Sequence, residues 1–441
     1  MASTYLTRTP SSAGNRQKWT LSAWIKFGNF AGSAGSVLFS AYADANDNFK
    51  ISFGDTYQLS MRFYNGSEYQ LTLNRLFRDP SAWYHLVFAV DTTLTSGGDR
   101  FKIYLNGVRE TSFANANDPT KDVNMTINNT TPMQIGRYST GSNYFDGYMN
   151  HVAFVDGTAL TPSNFGETDT ASGIWKWKSP SGVTYGNNGF HLKFDNSANL
   201  GLDSSGETNN FTLSGNGRQA KETPTNVRAT LNTLLKDIPT MSDGNTTATH
   251  TATSHRSLPS TIGASSGKWY WEAKAVTVNA TNNGTSIGIV RTDSALFKTS
   301  AWNSGDAAGE AVYTGGGELQ LEGTGTSSWG STYDDGDIVG VAMDLDNMKL
   351  YFHKNGVYQN SGVPTSGSTG TGAVTIPALN SEFYLPMIGL YGTVWSTNFG
   401  NGYFGTTAIT SAGSNGNGSL FEYDVPSGYY ALNTKNINTY G

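Results

Sequence analysis

The sequence predicts an all-β chain of two linked antiparallel β-sandwiches, and three observations carry that expectation. Charged residues make up 14% of the chain, while 52 glycines and 12% aromatics favour strands joined by tight turns. Period-2 runs recur throughout, and the helical period is almost absent. A single hydrophobic core stops growing near ~250–300 residues, so a chain of 441 residues needs two.

The same composition excludes several function classes. A net charge of −6 argues against a nucleic-acid groove, which needs a basic patch. With no cysteine there are no disulfides and no thiolate metal sites. The opening "MASTYLTRTPSS" has no apolar signal core, and no run approaches a membrane span. Neither Sec export nor membrane insertion is therefore expected.

In the first half the alternating runs are "WTLSAWIKF" (19–27), "YQLSMRF" (57–63), "WYHLVFAV" (83–90) and "FKIYLNG" (101–107). Turn clusters such as "NGS" and "TSGGD" separate them, and short strands so spaced read as a sandwich or jelly roll. This gives a first domain over 1–214. The stretch 215–262 is rich in Thr, Asn and Ser, contains Pro224, Pro239 and Pro259, and reads as a linker. Within it "TNVRATLNTLLKD" (225–237) sets Val227, Leu231, Leu234 and Leu235 on one face, which predicts a short helix after Pro224.

The second sandwich is expected over 263–441. Its first strand, "GKWYWEAKAV" (267–276), alternates Trp269 and Trp271 on one face with Tyr270 on the other. Burying one such side chain is worth roughly 2–3 kcal/mol. The trio therefore belongs to a core before it belongs to a ligand.

These motifs resemble two known families. "WYHLVFAVDTTLTSGGDRFKIYLNGVRE" is similar to the laminin-G-like, concanavalin-type jelly roll, with its Trp-x-His strand and Tyr-x-Asn-Gly hairpin. "MQIGRYSTGSNYFDGYMNHVAFVDGTALTPSNF" (133–165) continues that pattern, and "GFHLKFDNSANLGLDSSGETNNFTL" (189–213) is expected to add strands to the same sandwich. The second half resembles a SPRY domain. Gly-Lys-Trp-Tyr-Trp-Glu is followed in family order by "SIGIV" (286–290), "DDGDIVGVAMDLDNMKLYFHKNGV" (334–357), "FYLPMIGLYG" (383–392) and "STNFG" (396–400).

The two modules together, with "PSGYYALNTKNIN" (426–438), resemble phage virion proteins of the fibre, tail or capsid-decoration kind. The resemblance implies a non-enzymatic structural protein, assembled in host cytoplasm and displayed on the particle. The implied partners are other copies of the chain (a homo-oligomer, a trimer for a fibre), other virion proteins, and a host-surface glycan or protein. Neither nucleic acid nor membrane is among them.

Catalytic motifs are thin. "GTSIG" (284–288) matches G-x-S-x-G but opens a strand instead of a strand-to-helix elbow. "GASSGK" (263–268) is one residue short of a phosphate loop. His250 and His255 stand in a Thr-rich loop without further ligands. Retaining glycoside hydrolysis needs two carboxyls about 5–5.5 Å apart. Asp344 and Asp346 have a suitable spacing, yet they match the SPRY hairpin, where acids end a strand and cap a turn. No catalytic residue is expected. A polysaccharide-degrading glycosidase on the first sandwich is the rival reading, and a pure assembly protein without host ligand is the third.

Two sets of binding residues are expected. Asp195, Asn196, Asn199, Asp203 and Glu207 give an oxygen-rich loop, and Asp146 lies in the Phe-Asp-Gly turn. Laminin-G-like domains bind calcium at a sandwich rim, so this set is the calcium candidate, with Asx-turn chemistry as its alternative. In the second half Trp302, Tyr313, Trp329 and Tyr333 lie among Gly, Ser and Asn in presumptive loops. That is the chemistry of sugar stacking and adaptable contacts.

Overall fold

Alternation builds both halves of the chain. The computed structural model describes residues 4–28, 35–138, 141, 143–235, 238–279, 285–294, 309–326 and 328–441. It divides into two units, Met1–Gln219 and Ala220–Gly441. Each is a pair of sheets enclosing its own core. Among the described residues no helix is long and apolar enough to cross a membrane.

In the first unit an eight-stranded antiparallel sheet runs Phe113–Asn117, Glu68–Leu76, Gln58–Asn65, Asp47–Phe53, Ser36–Asp44, Met133–Ile135, Tyr5–Arg8 and Thr212–Ser214. A six-stranded sheet runs Phe190–Leu192, Gly147–Asp156, Lys18–Phe27, Trp83–Asp91, Phe101–Leu105 and Val108–Arg109. Trp19, Leu21, Phe88 and Phe154 from the second meet Phe39, Phe49, Ile51 and Met61 from the first in one buried cluster. The last hairpin turns on Asn106 and Gly107, with φ 46° and 83°. Two positive values define a type I′ turn, whose twist matches the flanking strands. Gly107 is required twice over, because a Cβ there would sit 2.6 Å from the Trp175 ring.

In the second unit Lys268–Thr277 lies between Thr393–Asn398 and Ile338–Asp344 in a nine-stranded sheet. A six-stranded sheet built on Tyr384–Leu390 and Ser286–Arg291 faces it across the core. Trp269 and Trp271 are buried in that core with Trp395 and Ile287. Tyr270 points the other way, into a smaller cluster with Tyr351, Phe421, Val425 and Tyr429. A late segment of the chain thus covers the outer face of the sheet. Its last strand, Tyr430–Ala431, pairs in parallel with Trp269 and Tyr270. The helix Thr434–Tyr440 follows, capped by the Asn433 side chain, which accepts from the Asn436 amide at 2.9 Å.

Two sequence expectations are corrected here. The stretch 215–262 is not a linker. Thr240–Ser242 and Thr247–His250 extend the nine-stranded sheet beside Thr393–Asn398, and Arg256–Pro259 pairs with Tyr384–Leu390. Met241, Ala248 and Leu258 are core residues. Nor is there a helix in 225–235; residues 236 and 237 lie outside the described residues. Residues 228–231 are all buried and carry no helical hydrogen bonds, Leu231 bridging Ser260 instead, while Leu234 is exposed. The i, i+3, i+4 spacing of the leucines was a coincidence of composition in a Thr- and Asn-rich stretch with weak helix propensity.

Candidate functional site

Among the described residues the expected loop aromatics of the second unit do not form an exposed platform. Tyr313 lies within the strand Glu310–Thr314 and Tyr333 is wholly buried. The Tyr333 hydroxyl donates to the Thr285 carbonyl at 2.8 Å and to the Tyr313 carbonyl at 3.1 Å, and the Tyr313 hydroxyl donates to the Ser331 carbonyl. Half-buried Trp329 meets Tyr313 and Phe352 edge-on, at centroid distances of 5.6 and 5.8 Å. Gly-rich sequence placed these rings in loops, but a ring whose polar atom is satisfied inside has more to gain from the core. Trp302 lies outside the described residues.

The oxygen-rich loop of the first unit is turn chemistry. Asp203 Oδ1 accepts from the His191 and Ser205 amides, both at 2.8 Å, and Oδ2 accepts from Ser205 Oγ and the Asn209 amide at the same distance. Asn196 accepts from the Ala198 amide at 3.0 Å. Asp195, Asn199 and Glu207 are exposed, and Asp146 stands beside Gly28. Among the described residues no three His, Cys, Asp or Glu side chains converge as metal ligands. A carboxylate whose two oxygens already take four donors has little left for a cation.

The acids of the hairpin between Ile338–Asp344 and Lys349–Lys354 are likewise committed. Asp344 is buried, 2.9 Å from Lys268 Nζ, and accepts from Asn347 N and Nδ2 at 3.1 and 2.9 Å. Asp346 accepts the Gly267 amide at 2.8 Å.

The six-stranded sheet of the first unit presents a polar outer face that sequence reasoning missed. Trp24 stacks on His85 at 4.7 Å, and His85 on Trp175 at 6.0 Å. A β-bulge between Asn150 and Ala153 holds His151 at φ 47°, and its ring stacks on Trp177 at 4.1 Å. Trp175 and Trp177 come from a two-stranded hairpin, Gly166–Thr168 with Trp175–Trp177.

This arrangement contains a serine 2.8 Å from a histidine, Ser22 Oγ to His85 Nε2. The tautomer decides what it can do. Trp175 Nε1 can only donate, and it does so to His85 Nδ1 at 2.9 Å. Burial lowers His85 to about 3, so the ring is neutral and its proton sits on Nε2, donating to Ser22. Ser22 therefore faces an N–H and no base. Burial likewise lowers His151 to about 3 and His191 to about 4, and the two rings meet at 3.2 Å.

The opposite face of the first unit, on the eight-stranded sheet, is only partly covered: Ser40 and Gln134 are buried, and Lys50, Arg62 and Gln70 beyond them are not. Because Ile135, Phe39, Ile51, Met61 and Leu71 point inward, their neighbours point out. Register sets Gln134, Ser40, Lys50, Arg62 and Gln70 side by side across five strands. Lys50, Arg62 and Gln70 are half-exposed, as are Tyr42, Tyr64 and Tyr138 around them. Arg62 pairs with Glu68 and lies 5.6 Å from the Tyr64 ring centroid. Arg137 sits 3.5 Å over the Tyr5 ring and donates to Gln134 Oε1 at 3.2 Å. Lys50 Nζ lies 5.3 Å from the Tyr138 centroid and has no carboxylate partner among the described residues. Burial first, then Arg62, pushes Lys50 below the ordinary ammonium range, with Glu68 acting the other way. Cations and part-exposed tyrosine rings on one sheet face can hold a polar ligand by stacking and charge.

With both sandwiches in view, their class is clear: two binding-type β-sandwich domains in one chain. Residues 2–164 match the model of the concanavalin A-like lectin/glucanases superfamily (laminin G type), and residues 268–392 match the SPRY domain. The chain thus carries a concanavalin-like domain followed by a SPRY domain. No curated protein sequence matches it. Among solved structures it is similar to the SPRY domain of human HERC1, at 18% identity over 34% of this chain and 87% of that one, with a TM-score of 0.28. It is similar to a native heptameric SAP-like pentraxin from Limulus polyphemus, at 16% identity over 42% of this chain and 86% of that one, with a TM-score of 0.28. It is also similar to domain 4 of AbnA, a GH43 extracellular arabinanase from Geobacillus stearothermophilus in complex with arabinotriose, at 22% identity over 35% of this chain and 68% of that one, with a TM-score of 0.25.

Proposed function

We propose that this chain is a non-enzymatic structural protein of a phage particle, displayed as a homo-oligomer, which grips glycan on the host surface through its first unit. The glycan part rests on one observation: the half-exposed row of Lys50, Arg62 and Gln70 ringed by Tyr42, Tyr64 and Tyr138. Ring faces stack on sugars, and amides and cations meet their hydroxyl and acid groups. The virion part rests on the order of the two modules and the motifs that flank them. Display in several copies would multiply a weak single contact.

The test uses the full chain and host-cell polysaccharide. Parent protein is expected to retain on the polysaccharide and to release no reducing ends. Tyr64→Ala is expected to weaken retention by about tenfold at unchanged melting temperature. Turnover would move the reading to the glycosidase, and retention indifferent to Tyr64 would remove this face from it.

A further inference from the structure

The geometry points to an acidic glycan, its carboxylate or sulfate received by the Lys50 ammonium on the partly covered face of the eight-stranded sheet. This rests on the glycan reading above and sharpens it to a ligand class.

The argument begins with an imbalance. The cations on this face differ in what they have been given. Arg62 has Glu68, and Arg137 has Gln134 and the Tyr5 ring. Among the described residues Lys50 has an aromatic ring but no ion-pair partner, Glu68 reaching it only through longer-range attraction, and its cross-strand neighbour is Arg62, a like charge. Like charges directly opposite each other on a sheet are destabilising. A half-buried ammonium has also lost part of its water without gaining an anion. Folding alone does not need a lysine at this position; a polar or apolar side chain would spare both costs.

Local charge supports an anionic occupant. The protein as a whole carries −6, yet this face sets Lys50, Arg62 and Arg137 against Glu68. In the next register row Tyr42 and Tyr64 flank the buried Asn48 and remain half-exposed, so their hydroxyls can meet those of a sugar. An acid group, hydroxyls and a ring with an apolar face are the three features of a uronic or sulfated sugar. A nucleic acid is disfavoured by the overall negative charge. A lipid surface would need exposed apolar side chains, and here the exposed groups are tyrosine, amide and cation.

The experiment measures binding of the full chain to polygalacturonate, to chondroitin sulfate and to neutral dextran, with a DNA duplex and phosphatidylglycerol vesicles alongside. Acidic polymers are expected to bind, more weakly as salt rises. Lys50→Met, which keeps the apolar stem, should lose about tenfold or more, and Lys50→Arg should retain most of the affinity. Dextran bound as well as the acidic polymers, with Lys50→Met indifferent, would overturn the charge assignment and leave the glycan reading standing. No binding to any of the three glycans would overturn both. Lys50-dependent binding to DNA or vesicles, without binding to the acidic glycans, would overturn the ligand class.

Discussion

The two outer faces of the first unit are both polar, and they end in opposite states. On the six-stranded sheet a tryptophan hairpin closes over Ser22, Trp24, His85 and His151, and the histidines are held neutral by burial. On the eight-stranded sheet Lys50, Arg62 and Tyr64 stay half-exposed, and among the described residues Lys50 has no carboxylate partner. The second unit covers its nine-stranded sheet in the first manner. Tyr270 donates to Glu272 at 2.8 Å and lies 2.7 Å from His353 Nε2, while Glu272 also accepts the Glu422 and Tyr423 amides at 2.9 Å each. On a covered face most polar groups find partners, because an unpaired buried group is costly, although among the described residues Trp24 Nε1 and Tyr358 Oη have none. Lys50 by contrast keeps partial contact with water, and the proposed ligand rests on that difference.

That contrast can be broken in several ways. The largest effect is expected from removing 220–262. A fragment of 220–441 should unfold cooperatively, whereas 263–441 lacks three strands and the buried Met241, Ala248 and Leu258, and should not. Equal cooperativity in denaturant would mean that these strands are ornament. Next, Trp271→Ala should cost about 3–5 kcal/mol as a core truncation. In calorimetry of the full chain it should lower one transition only, which assigns that transition to the second unit.

Acid separates the units further. His85, His151 and His191 have folded values of about 3, 3 and 4 against an ordinary ~6.5. Their contribution is therefore present above ~6.5 and lost as pH falls toward 4. In the second unit His353, lowered to about 3 by burial, has the same sign. Glu272 has the opposite one. Burial raises it to about 7, so its contribution is present below ~4.5 and lost as pH rises through 7. Between pH 4.5 and 6.5 the two oppose each other, and the second transition should move less than the first. Glu272→Gln should lower the second transition and steepen its slope on acidification. An unchanged slope would mean that Glu272 titrates like an exposed acid. The smallest effect belongs to the partly covered face: Lys50→Met should alter stability by no more than about 0.5 kcal/mol, read in the same scans.

The strands were legible and their neighbours were not. "WTLSAWIKF" and "GKWYWEAKAV" carry a two-residue period that survives as Lys18–Phe27 and Lys268–Thr277, because the main core on one face selects apolar side chains at alternate positions even where the other face is also covered. The same period marks Lys50 and Arg62 as outward-pointing. That they lie side by side depends on the register of strands separated by a turn, and that Gln134 and Ser40 continue the row depends on topology. The loop tyrosines failed for a related reason. Gly-rich surroundings signal turns, but Tyr313 and Tyr333 are held by carbonyls that only the folded sheet brings near. His151 left no signal at all, since its direction comes from a bulge.

The pairing of Glu272 with Glu422 and Tyr423 spans separations of 150 and 151 residues. At ~5–20 residues per second of synthesis, roughly 8–30 s pass before those amides exist. Throughout that interval the carboxylate stands in water and is ionised at neutral pH. Because burial raises Glu272 to about 7, docking of the later segment is coupled to partial proton uptake at neutral pH. Closure over Glu272 thus waits for the segment around Glu422 to be made, and ribosome-bound chains stalled ahead of Glu422 should be cut by protease within 268–277 where released chains resist.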